Sequence, residues 1–300
     1  MIAAVAAGHP ATVAAGIEIL EDGGTAADAA VAACLASCVA ETVMTGLLGG
    51  GHAIYWDGAG AWNLDCFVDV PSGNGAPPVE LHVPFGEELV HYAVGPGTCA
   101  VPGLPAGLAA LHGRFGRLPW SRLVQPALEL ARTGVPVPPA HAACLAMLAD
   151  VFTLTDRGRT IYAPRGEPLR SGDRLHQPGL GRTLELLREE GAESVYRGTL
   201  AETLVEGIDG ISVSRPDLER YEARWDMPVE AVARPRFHAV GGLVNAEPGV
   251  DEDALSRLEQ AGRSVRRWPA QHHYFGGVSV IGRRGAAGDP RRSGHAAELG

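Results

Sequence analysis

The stretch that decides the fold is residues 26–40, which read AADAAVAACLASCVA. Apart from Asp28, Ser37 and the two cysteines, every side chain in it is small and apolar, so no face of the segment is suited to water. A helix that is apolar all round is buried all round. The sequence therefore predicts a central helix here, with other layers of structure on both sides of it.

The segments on either side of this helix predict a mixed α and β domain. Upstream, residues 10–21 carry apolar residues at helical spacing, and Gly23-Gly24 provides the left-handed exit that helix ends favour. Downstream, Gly49-Gly50-Gly51 interrupts the helical pattern. Residues 52–66 then read as strand, tight turn at Asp57-Gly58, and strand.

The rest of the chain divides into three parts. Residues 71–105 are rich in proline and glycine and predict a loop region with one short strand somewhere in residues 82–94. An α-rich region follows, with helices predicted over residues 107–114, 121–133, 138–151, 177–190, 199–208 and 215–221. After a strand near residues 227–231, the last part predicts strands at 243–246, 264–268 and 278–281 and a helix at 251–261, capped by Asp251 and ended by Gly262.

Composition and charge exclude several classes of function. The chain has 300 residues, of which 46% are apolar and 20% charged, as in a globular enzyme. Its 25 basic and 35 acidic residues give a net charge of −10, which argues against nucleic acid and anionic membranes as partners. No basic, apolar leader or membrane-spanning run is present, so we predict a cytoplasmic protein. The five cysteines form no CxxC pair and predict reduced thiols, with no metal or other cofactor.

Several motifs, in one order, resemble the bacterial γ-glutamyltransferases (γ-glutamyltranspeptidases). These motifs are His9-Pro10 with residues 23–32, Gly49-Gly50-Gly51, residues 101–107, 116–120 and 124–127, residues 173–180, 196–198 and 217–221, and, downstream, residues 234–238, 247–249, 275–278 and 289–292. The resemblance implies an α+β fold, an αββα sandwich of the N-terminal-nucleophile class with part of the central sheets missing. It assigns residues 1–231 to a large-subunit-like region and 232–300 to the end of a small-subunit-like region, within a single compact domain.

What the resemblance implies about catalysis is not matched by the residues present. In that family a self-processed threonine supplies both the attacking hydroxyl and the amine that acts as base. Here no threonine follows Thr203, and residues 227–230 run within a few positions into residues 234–238, which resemble a much later part of the family sequence. Where the family often has an arginine that grips the substrate carboxylate, this chain has Phe67.

Other candidate sites have a functional and a structural interpretation, and we favour the structural one in each case. Gly49-Gly50-Gly51 is suited to cradling an anion, but glycine runs more often allow a close approach of the backbone. Cys66 with His52 is a conceivable nucleophile and base, although nothing in the sequence supplies a third, orienting group. Asp69, Glu87 and Glu88 could act as a general acid and base. The histidines that could bind a metal are His238, His272, His273 and His295.

Three hypotheses about function follow, and none assigns a catalytic, substrate-binding or metal-binding residue. The first is a family member without catalysis, whose relation to small γ-glutamyl compounds comes from resemblance only. The second is a protein that pairs with a full-length homologue, or with itself, through strand edges left exposed. The third is residual amide hydrolysis through Cys66 or a serine such as Ser212.

Overall fold

The computed structural model describes residues 3–85, 88–227, 235–240, 242–271, 275, 279–282 and 285–288. Contacts within the chain divide it into two units. The first comprises residues 1–52 and 66–223, and the second comprises residues 53–65 and 224–300. The predicted boundary between residues 231 and 232 lies outside the described residues, and the predicted single domain stays a prediction.

The first unit is built around the predicted central helix. Helix α1 (Pro10–Glu21) is followed by α2 (Ala26–Ala40), in which eleven of fifteen residues are buried. Thr25 and Asp28 form a reciprocal capping box at the start of α2, so the helix begins at a defined residue. Helix α2 packs against α1 and against two later helices, so most of its surface is buried. Ala26 and Ala30 are exposed, however, so the prediction of burial on all sides was wrong for one face of the helix.

The α-rich region contains the predicted helices with small shifts at their ends. They are α3 (Leu104–Phe115), α4 (Trp120–Thr133), α5 (Pro139–Met147), α6 (Ala149–Phe152), α7 (Asp156–Tyr162), α8 (Leu180–Glu190), α9 (Thr199–Glu206) and α10 (Arg215–Arg220). The single helix predicted over residues 138–151 is two helices, which meet at Leu148. The short helix α7 was not predicted.

The prediction of a loop region with one short strand was wrong, because residues 79–94 form a hairpin of two long strands. Strands β3 (Val79–Phe85) and β4 (Glu88–Val94) pair antiparallel. Opposed apolar pairs on one face, Leu81 with Tyr92 and Val83 with Val90, give the hairpin its register. The proline and glycine content of the surrounding residues hid this period-2 pattern. A small pair, β5 (Val135–Pro136) and β6 (Arg174–Leu175), completes the strands of this unit.

Among the residues that the structure describes, the second unit contains most of one three-stranded sheet, a second three-stranded sheet, a two-stranded pair and one helix. Gly51, His52 and Cys66, at the ends of the first sheet's hairpin, belong to the first unit. Strands β1 (Gly51–Trp56) and β2 (Ala61–Cys66) form the predicted hairpin, and β7 (Arg224–Asp226) pairs with β2. Strand β7 ends at Asp226, before the strand predicted at residues 227–231. Met227 lies in no strand, and residues 228–231 lie outside the described residues. The second sheet has the order β8 (Phe237–Val240), β9 (Leu243–Ala246) and β10 (Ser264–Arg267), with β10 parallel to β9; a further pair is β11 (Ser279–Gly282) with β12 (Gly285–Gly288).

Helix α11 (Glu252–Gln260) crosses between β9 and β10 as predicted. The Asp251 side chain caps it by accepting hydrogen bonds from the N–H groups of Asp253 and Ala254. Leu255 is buried against the sheet, with Val250 packed beside it. Within the described part of the chain no sheet has more than three strands, and no helix is long and apolar enough to cross a membrane.

Candidate active site

The glycine run before β1 provides a close approach between backbone segments. A Cβ on Gly50 would lie 2.6 Å from both the Cys66 carbonyl oxygen and the Val68 nitrogen, so only glycine fits there. The Gly49 carbonyl accepts hydrogen bonds of 2.9 Å from the N–H groups of Gly103 and Leu104. These contacts support the structural interpretation of the run and join it to Cys66 and to the start of α3.

Cys66 lies buried against α3, with 5% of its surface exposed. A Cβ on Gly107 would lie 2.3 Å from the Cys66 Sγ, so the thiol fills the space that the glycine leaves open. His52, its candidate partner, stacks on the Phe67 ring at a centroid distance of 5.9 Å and an angle of 13°. Phe67 itself is 57% exposed, although the resemblance puts an arginine at this position.

Two tyrosines that the sequence analysis did not single out fix the surroundings of Cys66. The Tyr196 hydroxyl donates to the Pro102 carbonyl at 2.9 Å and accepts from the Ala106 N–H at 3.1 Å. Tyr221 stacks on the Tyr196 ring and donates its hydroxyl to the Phe67 carbonyl at 2.6 Å. Burial raises the pKa of Tyr196 well above its usual value, so its hydroxyl stays protonated and acts as an anchor.

Ser212, the serine candidate, is also held in a structural contact. It is buried, its hydroxyl donates to the Cys99 carbonyl at 2.7 Å, and its N–H donates to the Pro96 carbonyl at 3.2 Å. A serine nucleophile needs a base that accepts its proton, and this hydroxyl gives its proton to a carbonyl instead. The geometry gives Ser212 the role of holding residues 96–99.

The structure places the other candidates apart. Asp69 is exposed, and its carboxylate accepts a hydrogen bond of 2.8 Å from the Val70 N–H. Glu87 lies outside the described residues, as does the side chain of Glu88. His238 is exposed on β8, while His272, His273 and His295 lie outside the described residues. No three His, Cys, Asp or Glu side chains among the described residues are arranged to hold a metal ion.

The buried carboxylate of Asp217 fixes the start of α10. It accepts hydrogen bonds from the Ser214 hydroxyl at 2.6 Å, the Ser214 N–H at 2.9 Å and the Ser72 N–H at 3.1 Å, and it pairs with Arg220. Burial alone would raise the pKa of this carboxyl, but the hydrogen bonds from Ser214 and Ser72 outweigh burial and hold the pKa well below its usual range.

The depressed pKa of Asp217 predicts a loss of stability in acid. A carboxyl whose pKa is lower in the folded state stabilises the fold above its unfolded pKa of about 4, and this contribution is lost as the pH falls further. We expect the free energy of unfolding of Asp217→Asn to fall less steeply below pH 4 than that of the wild type in urea titrations. Asp209→Asn, at an exposed position, is the control that keeps the wild-type slope. If the free energy of unfolding of Asp217→Asn and of the wild type fell equally steeply below pH 4, a depressed pKa of Asp217 in the folded state would be contradicted.

Comparison with known proteins decides the family. The family model described as gamma-glutamyltranspeptidase matches residues 12–231, which is more than half of the chain. The chain belongs to the γ-glutamyltranspeptidase family. Among curated relatives, it is 32% identical over 235 residues to a glutathione hydrolase proenzyme of Bacillus subtilis and 32% identical over 242 residues to the acylase ACY 1 proenzyme of a Pseudomonas strain.

Solved structures of γ-glutamyltranspeptidase relatives give the same result. The γ-glutamyltranspeptidase of Pseudomonas nitroreducens complexed with L-DON aligns with a TM-score of 0.63 and 27% identity, over 87% of this chain and 75% of that chain. The transpeptidase CapD of Bacillus anthracis aligns with a TM-score of 0.61 and 26% identity, over 87% and 82% of the two chains. The predicted α+β fold of the N-terminal-nucleophile class is therefore confirmed.

The match to the γ-glutamyltranspeptidase family is partial in length. The alignments cover 75% and 77% of this chain but 39% and 43% of the two curated relatives, so the chain spans about two fifths of their length. The family model ends at residue 231, beside the predicted junction at residues 231–234. The resemblance of the downstream residues to the end of a small subunit stays a prediction.

Proposed function

We propose that this chain is a γ-glutamyltranspeptidase-family protein that does not catalyse γ-glutamyl transfer or hydrolysis. The observation that carries the proposal is that no threonine follows Thr203, so no threonine-initiated strand exists downstream of the large-subunit-like region. The family chemistry needs a hydroxyl with its own α-amine beside it. Without that pair, neither self-processing nor attack on a γ-glutamyl carbonyl can proceed.

The surroundings of the two candidate substitutes support this proposal. The Cys66 thiol packs against Gly107, and the Ser212 hydroxyl donates its proton to a carbonyl. Phe67 is an apolar, exposed side chain where recognition of a substrate carboxylate calls for a cation. Each position thus has a structural role or a chemistry unsuited to a γ-glutamyl compound.

The test is turnover of γ-glutamyl p-nitroanilide by the purified protein, beside the Bacillus subtilis glutathione hydrolase purified in the same way. We expect release of p-nitroaniline from the relative and none above the buffer blank from this chain. Saturable release by this chain would overturn the proposal. In that case the nucleophile could be identified by labelling the protein with a γ-glutamyl electrophile and finding the labelled residue by mass spectrometry. Loss of activity in Cys66→Ala or Ser212→Ala would then show which of the two residues carries the residual amide hydrolysis.

Pairing with a second chain of the same family is the alternative role. It is favoured by residues 3–7, which lie in no helix or strand and whose backbone makes no hydrogen bond with another described residue. Exposed apolar side chains at Met44, Leu48, Phe67 and Val70 also favour it. Backbone N–H and C=O groups without partners can pair with a strand of another chain. Size-exclusion chromatography of this chain with a full-length relative tests it: a joint peak would support pairing, and two unshifted peaks would exclude it.

A further inference from the structure

A groove in the first unit lies outside the candidate active site. It has a volume of about 590 Å³ and lies between residues 3–8, α1 and one face of α2. Val5 forms part of its wall and packs against Gly16 of α1, where a Cβ would lie 2.9 Å from the valine side chain. Sites for small molecules in proteins have volumes of about 300–1,000 Å³. The groove is therefore large enough for a small ligand.

The floor of the groove is mostly apolar. It is formed by the α2 residues Ala26, Ala29, Ala30 and Ala33, followed by Cys34 and Ser37. Alanine side chains leave room for an unbranched aliphatic chain along the helix and offer it no hydrogen-bonding group. Among the described residues that line the groove there is no lysine or arginine.

One carboxylate, that of Glu41, lies at the end of this floor. Glu41 has 7% of its surface exposed and lines the groove. Its Oε1 accepts a hydrogen bond of 2.6 Å from the Thr12 hydroxyl. Its Oε2 lies beside Gly8, where a Cβ would be 2.3 Å away, and receives no hydrogen bond from the residues that the structure describes.

This arrangement leaves one oxygen of a largely buried carboxylate facing the groove without a donor among the described residues. Buried carboxylates in proteins are usually paired with a cation and accept several hydrogen bonds. Glu41 has one hydroxyl donor and no basic partner among the described residues, and the Oε2 atom borders open space in the groove. A ligand with a charged N–H donor supplies both missing interactions. The net charge of −10 also favours the approach of cations.

We propose that the groove binds a small primary ammonium compound with an unbranched aliphatic chain. The ammonium group donates to Glu41 Oε2, and the aliphatic chain lies along the alanine face of α2. The Thr12 hydroxyl holds the carboxylate in place by binding its other oxygen. Since no residue of the candidate active site takes part, this binding is independent of whether the chain catalyses any reaction.

Isothermal titration with n-hexylammonium and the uncharged n-hexanol tests the assignment. We expect saturable one-to-one binding of n-hexylammonium and at least ten-fold weaker binding of n-hexanol, because only the ammonium pairs with Glu41. Glu41→Gln keeps the shape and removes the charge, and it should weaken n-hexylammonium binding at least ten-fold. Glu21→Gln removes a charge from an exposed position of α1 and should leave binding unchanged.

A second variant keeps the test decisive if Glu41→Gln fails to fold. Ala30→Leu places a larger side chain on the exposed floor of the groove without touching Glu41, and it should abolish binding while the circular dichroism spectrum stays that of the wild type. Three results would each overturn the proposal. The first is equal binding of the two probes, and the second is undiminished binding of n-hexylammonium by folded Glu41→Gln or Ala30→Leu. The third is the absence of saturable n-hexylammonium binding to the wild type.

Discussion

Replacing Asp28 with alanine is expected to lower the free energy of unfolding by about 3–5 kcal/mol. Asp28 is fully buried, and its carboxylate accepts hydrogen bonds from the backbone N–H groups of Thr25 at 2.8 Å, Arg117 at 3.0 Å and Leu118 at 3.3 Å. It therefore both caps α2 and ties the start of α2 to the loop between α3 and α4. The alanine variant leaves these three backbone donors without their acceptor.

Urea denaturation followed by circular dichroism measures this loss. Asp150→Ala, at an exposed position of α6, is the matched control and should change the free energy of unfolding by less than about 0.5 kcal/mol. Asp28→Asn keeps one acceptor oxygen and should fall between the wild type and the alanine variant. If Asp28→Ala lowered the free energy of unfolding by less than about 1 kcal/mol, the hydrogen bonds of Asp28 to the α3–α4 loop would not hold α2 in place as proposed.

The second large effect is expected from two identical substitutions in α3 that act in opposite directions. Gly107→Ala places a Cβ 2.3 Å from the Cys66 Sγ and 2.4 Å from its Cβ, so the packing of Cys66 on α3 must shift. Such overpacking costs about 1–3 kcal/mol. Gly113→Ala meets nothing within 4 Å, and the better helix propensity of alanine should stabilise the protein by about 0.5–1 kcal/mol.

Thermal unfolding of the two variants beside the wild type tests this pair. Helix propensity acts on both, so the difference between them isolates the contact with Cys66. Gly107→Ala should unfold at a lower temperature and Gly113→Ala at a higher one. If both variants were stabilised equally, the close packing of Cys66 on Gly107 would be refuted.

The parts of the fold that could be predicted from sequence are those with strong local signals. Residues 26–40 are apolar on nearly every face, and Thr25 with Asp28 forms a capping box at their start, so both the burial and the beginning of α2 follow from the sequence. The β1–β2 hairpin and α11 have equally clear turn and cap residues. The β3–β4 hairpin was missed because the surrounding prolines and glycines hid the alternation of Val79, Leu81 and Val83 with polar residues.

The candidate site shows the same division between local and long-range information. The sequence identified Cys66, His52 and Ser212 by residue type, but their contacts are set by distant residues: Gly107 beside the thiol, Phe67 under the imidazole and Cys99 at the hydroxyl. Tyr196 carried one usable signal, since a buried tyrosine normally finds a partner for its hydroxyl. Which partner it finds, here Pro102 and Ala106, depends on packing between segments about 90 residues apart.

The most direct test of whether the chain lacks the family's threonine nucleophile is the intact mass of the purified protein after prolonged incubation at neutral pH. If no threonine is available for self-processing, the chain stays whole at 31.3 kDa. Cleavage into two fragments, the second beginning with threonine, would contradict the account and restore the family chemistry.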